Sequence, residues 1–148
     1  MEESCYTYQC KNRELNTTHI EKLLCNCFNL AVKAEECVFA LAFTAKGELL
    51  GVFEVSHGTV GASFMNMREV MIRMFLVGAC SFILAHNHPS GDVSPSKNDY
   101  TACQNAVSTA RMMGLNCLDF IIVGSSVKEE YGFQYFSFME KDLLNPST

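Results

Sequence analysis

The chain has 148 residues, of which 49% are hydrophobic and 18% charged, and its net charge is −5. A length of this order suits a single globular domain that buries about two-thirds of its unfolded surface, and the composition is not that of a disordered chain. The acidic balance and the lack of a basic run argue against a surface that grips a nucleic-acid backbone by charge, because phosphate contacts need clustered Lys and Arg.

Residues 1 to about 15 are polar, with no apolar signal-peptide core. In the following stretch Ile20, Leu23, Leu24, Cys27 and Leu30-Ala31 recur at helical spacing, and Asn16, Thr17 or Thr18 can cap the start. "CVFALAFT" (37–44) is short, apolar and rich in strand formers. Lys46-Gly47 supplies a turn into "ELLGVFEVSH", so 37–57 reads as a hairpin that "GTVGA" then breaks. "NMREVMIRMFLVGA" predicts a helix capped by Asn66 and closed near Gly78. "CSFILA" is a strand buried on both faces, and the loop "HNHPSGDVSP" follows it. A helix over "SKNDYTACQNAVSTARMMG" closes at Gly114; "CLDFIIVG" is another buried strand and "YGFQYFSF" an edge strand. The order predicts an α/β fold, a mixed sheet with helices on its faces. We divide it into an N-terminal segment and helix (1–36) and one globular unit (37–144).

The eight cysteines form no C-x-x-C pair, so neither a zinc ribbon nor a thioredoxin-type site is indicated. Cys80 and Cys117 lie in apolar segments and read as small core residues. With no secretory leader the thiols are expected to stay reduced, and no apolar run approaches the ~18 residues needed to span a membrane. The expected location is cytoplasmic.

Chemistry concentrates in "AHNHPSGDVSPSKND" (85–99). If the strand continues, His86 and His88 point to the same side at its end, where Pro89 stops the ladder. Zinc in an open catalytic site takes three protein ligands and keeps a position for water, and Asp99 in the first turn of the next helix is the candidate third ligand. Such a water still needs a base, and Glu54, which interrupts the apolar second strand, suits that role. Plainer readings stand beside these. Ser96 to Asp99 is also a capping box, Glu54 also fits a polar strand position between Phe53 and Val55, and His19 and His57 read as surface residues.

His86-x-His88, seven residues, Ser96, two residues and Asp99, with an upstream glutamate, resemble the JAMM metalloprotease motif. More narrowly, "AHNHPSGDVSPSKND" is similar to the hallmark of the RadC family, and "FEVSHGTV", "REV", "LDFIIVG" and "YFSF" extend the likeness over roughly 37–140. The resemblance implies a three-layer α/β/α sandwich of the JAB/MPN type, similar to cytidine deaminases. It implies zinc (Zn2+) on His86, His88 and Asp99, Glu54 as general acid/base, and Ser96 as hydrogen-bond donor to the developing oxyanion. The chain departs from the family at Phe120, where a histidine is usual, and at Asn66-Met67, where His-Pro is usual. About 35 residues precede the first strand, too few for the helix-hairpin-helix DNA-binding region of many RadC proteins.

The leading expectation is a zinc-dependent hydrolase of peptide or isopeptide bonds, with a protein partner that completes the substrate cleft. The alternative is an accessory protein of DNA repair or recombination, which the acidic balance disfavours as a direct DNA binder. A deaminase would need His-x-Glu and P-C-x-x-C, which are absent, and a non-catalytic MPN-like scaffold would be expected to have lost ligands.

Overall fold

A computed structural model describes residues 17–57, 65–124 and 134–144. Along the chain these form α1 (Thr17–Phe28), a short 3-10 turn (Leu30–Val32), β1 (Cys37–Phe43), β2 (Leu49–His57), α2 (Met67–Val77), β3 (Ser81–Asn87), α3 (Lys97–Met112), β4 (Asn116–Gly124) and β5 (Gln134–Ser137). The five strands make one sheet in the order β2-β1-β3-β4-β5. It is mixed: β3 and β4 run parallel with α3 between them in sequence, and the other pairs are antiparallel.

Strand alternation sends apolar side chains to both faces of the sheet. On one face Ala40, Ala42, Phe82, Leu84, Phe120 and Ile122 meet α2 and α3 through Val70, Met74, Cys103 and Ala106. On the other, Phe39, Leu41, Phe43, Ile83, Ile121 and Val123 meet α1 and the 3-10 turn through Ile20, Leu24 and Leu30. Two helical layers enclose the sheet, giving the expected three-layer α/β sandwich. Each large side chain buried in this way stabilises by about 1.5–3 kcal/mol.

Local signals explain most of the boundaries. α1 stops at Phe28 because Asn29 takes a left-handed conformation (φ 54°), and Leu30 reaches the core from the following turn instead of continuing the helix. Asn66 caps α2 by accepting from the Arg68 amide, and Gly78 closes it at φ 69°. The Lys46-Gly47 turn is stitched by the Gly47 amide donating to the Thr44 carbonyl. Asn16 as a cap, the "GTVGA" break and the side chains of His19 and His57 lie outside the described residues. Cys80 is a correction. It is exposed, because it falls between the α2 cap and the start of β3, and Cys117 is only partly covered.

Asp119, on β4, ties down the β5 end of the sheet. It is 2% exposed and accepts from Ser137 Oγ (2.6 Å) and from the amides of Phe120 (2.7 Å) and Met139 (3.0 Å). Burial pushes its carboxyl up, against those hydrogen bonds. A raised folded pKa means that its stabilising contribution is full below the ordinary carboxylate range and is lost as pH rises through the raised value. Asp119→Asn keeps an acceptor and should flatten that slope. Asp119→Ala strands buried donors and should cost about 3 kcal/mol in chemical denaturation.

Candidate metal centre

The site forms where β3 runs out. His86 is still within the strand. His88 lies one residue beyond it, yet its amide donates to the Val123 carbonyl (2.9 Å), which extends the parallel ladder. The two imidazoles therefore project from the same side, on the face covered by α2 and α3. Their Nε2 atoms stand 3.3 Å apart. The loop then turns sharply, with the Gly91 amide donating to the His88 carbonyl and Gly91 at φ 85°. Gly124 on β4 presses against that turn: a Cβ there would meet the Gly91 carbonyl oxygen at 2.7 Å, so glycine alone lets the loop sit this low on the sheet.

α3 brings the third group. Its first turn is a full capping box, in which Ser96 Oγ accepts from the Asp99 amide (3.2 Å) and the Asp99 carboxylate accepts from the Ser96 amide (2.7 Å). That exchange fixes the Asp99 rotamer and aims its carboxylate at both imidazoles, at 2.8 Å from His86 Nε2 and 3.0 Å from His88 Nε2. Asp99 is 2% exposed and His86 1%. A carboxylate so buried requires compensating positive charge or donors. Burial raises the Asp99 carboxyl, but the two imidazoles and the Ser96 amide outweigh it and hold the group well below the usual carboxylate range.

His88 Nδ1 lies 2.7 Å from the Asp92 carbonyl oxygen. A carbonyl only accepts, so Nδ1 carries a proton; Nε2 donates to the Asp99 carboxylate when the ring is protonated and offers its lone pair to a cation when the ring is neutral. The Asp99 hydrogen bond raises the His88 pKa against the effect of burial, with the Asp92 carbonyl and the Glu36 charge adding to the rise. One donor atom each from His86, His88 and Asp99 lies within 4.8 Å of the others. Two ligands 2.0–2.1 Å from a tetrahedral zinc stand about 3.4 Å apart, close to the separation of the imidazole nitrogens. The donor set fits a divalent cation of borderline softness.

A cavity of about 350 Å³ opens beside the cluster, lined in part by Glu36, His88, Ser96, Asn98 and Asp99. Ser96 thus stands on the wall. Glu54 is not among the described residues that line it. Glu54 pairs in register with Phe39, which puts its carboxylate on the α1 face of the sheet, opposite His86, where it helps raise the buried Cys37 thiol. Among the described residues, Glu36 is the acid outside the metal cluster that lines the cavity. β1 runs antiparallel to β3 with Val38 opposite His86, so the residue two before Val38 arrives beside His88. The signal was the Glu35-Glu36 pair directly before the first apolar strand, but its meaning depends on β1 pairing with β3.

Asn87 anchors that approach. It is fully buried and accepts from the Cys37 amide (2.7 Å), while its Nδ2 donates to the carbonyls of Glu35 (2.9 Å) and Lys33 (3.2 Å). Asn87→Ala should cost about 2 kcal/mol and lower turnover by freeing Glu36, while zinc affinity measured by competitive chelation stays near wild type. The reverse pattern, intact turnover with lost zinc, would contradict this role.

Phe120 packs its ring against His86, centroids 5.2 Å apart. Burial raises Cys25 and Cys103 to about 12 and lifts Cys37 and Cys117 as well, which favours the thiol form at all four.

Comparison with known proteins bears on this site. The family profile of the RadC-like JAB domain matches residues 15–143. A UPF0758 protein of Latilactobacillus sakei is 34% identical over 116 residues, covering 78% of this chain and 49% of its own. A UPF0758 protein of Symbiobacterium thermophilum is 38% identical over 104 residues, 70% of this chain and 42% of its own. One from the archaeon Methanosarcina acetivorans is 36% identical over 100 residues, 65% of this chain and 44% of its own. The chain spans about half the length of the curated relatives it matches. No helix among the described residues is long and apolar enough to cross a membrane.

Proposed function

From the premise that this chain belongs to the RadC-like JAB family, we propose that it is a zinc-dependent hydrolase of peptide or isopeptide bonds. The observation that carries this reading is the convergence of His86, His88 and Asp99 beside an open cavity with a carboxylate and a hydroxyl on its wall. When bound, zinc supplies Lewis acidity and draws the pKa of water towards neutrality.

The chain's own groups account for the rest. Glu36 is the proton carrier: its carboxylate takes a proton from the attacking water and passes it to the leaving amine. Ser96 Oγ accepts from the Asp99 amide, so its own hydrogen is free to point into the cavity and stabilise charge developing on the substrate carbonyl oxygen. The Asp92 carbonyl holds His88 in the tautomer that offers Nε2. The capping box therefore serves both the helix and the site. A protein partner that supplies further substrate contacts belongs to this reading.

The test is direct. Zinc-loaded, dialysed protein should retain one equivalent of metal and cleave isopeptide-linked or peptide substrates in a chelator-sensitive manner. Failure to hold zinc under loading conditions would remove the reading at its first step. Tight, salt-sensitive binding to DNA by a chain that cleaves nothing would favour an accessory role in DNA repair instead.

A further inference from the structure

A second, smaller recess shares one lining residue, Asn98, with the metal-site cavity. It holds about 90 Å³ and is lined by Met65, Met67, Asn98, Thr101, Ala102 and Asn105. Asn98 lines both spaces, so the recess lies one residue's breadth from the cavity, along α3. Residues 98, 101, 102 and 105 fall at i, i+3, i+4 and i+7, which makes one continuous helix face. Met65 and Met67, at the entrance to α2, close the opposite side.

We propose, resting on the hydrolase reading, that this recess is a substrate subsite. It takes an uncharged side chain of about leucine size from the residue next to the bond cleaved at the metal centre.

Three features select that occupant. The first is size. A cavity of about 150 Å³ accommodates benzene, so 90 Å³ suits a group of about four heavy atoms. The second is charge. Among the described residues that line it none is ionisable, so the wall offers a charged side chain no ion pair in exchange for the water it displaces. The third is chemistry. The two methionines give an adaptable apolar wall, while the Asn98 and Asn105 amides, each both donor and acceptor, suit the backbone of an extended peptide running out of the larger cavity.

Binding can be measured without turnover. Zinc-free, full-length protein is titrated with end-capped Gly-Leu-Gly and Gly-Glu-Gly while the side-chain amide signals of Asn98 and Asn105 and the methyl signals of Met65 and Met67 are followed by NMR. The leucine peptide should shift all four saturably, and the glutamate peptide should bind at least about fivefold more weakly. Ala102→Phe, which fills the recess, should abolish the response with zinc affinity unchanged. Met67→Ala, which enlarges it, should admit Gly-Phe-Gly. Equal responses to leucine and glutamate, shifts elsewhere on the surface, or indifference to both variants would overturn the subsite. If the leucine peptide binds here and the zinc-loaded chain cleaves nothing, the recess stands as a peptide-binding site, while its role as a substrate subsite falls with the hydrolase reading.

Discussion

Glu36→Gln should keep the full zinc complement and lose turnover by about 10²–10⁴-fold, the usual contribution of a positioned acid/base. The amide is nearly isosteric with the carboxylate but cannot take a proton at neutral pH. Glu36 is half-buried on the cavity wall beside His88 and donates no atom to the His86–His88–Asp99 cluster, so metal retention should not change. Glu54→Gln is the control. Its side chain belongs to the opposite sheet face, and turnover should stay within about twofold of wild type, as for an ordinary surface substitution. Paired kinetics and metal analysis decide between the two acids, and a loss in Glu54→Gln with activity retained in Glu36→Gln would reverse the assignment.

Asp99→Ala should lower zinc affinity by more than about 100-fold, beyond the 10–100-fold typical of residues that only orient a ligand. Asp99 also completes a capping box, so a comparison must separate the two duties. Ser96→Ala removes the cap acceptor and keeps the carboxylate. It should cost about 1 kcal/mol in stability, keep zinc, and lose turnover through the missing donor. Asp99→Ala should lose stability to a similar extent and zinc as well. If the two variants bind zinc equally, Asp99 is a helix cap and nothing more.

The element order was readable because each strand is a short apolar run and each helix carries its own punctuation: Asn66 and Gly78 around α2, Ser96 and Gly114 around α3. The metal cluster was readable for a related reason. All three groups lie within residues 86–99, and strand alternation plus one capping box is enough to converge them. The carboxylate on the cavity wall was harder to find because its partner lies across the sheet. β1 forms an evident hairpin with β2, but its other neighbour is β3, some forty residues on, and no local pattern announces that pairing. Glu54 stood out as a charge within an apolar strand, yet the strand's period turns it away from His86. Cys80 misled in a similar way, since an apolar neighbourhood in sequence became an exposed junction in space.

The three cluster residues arrive on one continuous strand-loop-helix piece, while Glu36 enters just ahead of a separate strand, held by the Asn87 clamp. On the proposed reading, capturing an ion and doing chemistry with it are therefore heritable independently. If that reading holds, a transplant of residues 81–112 into another parallel frame would carry the trap without the reactivity, and a descendant that abandoned catalysis could do so at Glu36 while keeping the trap.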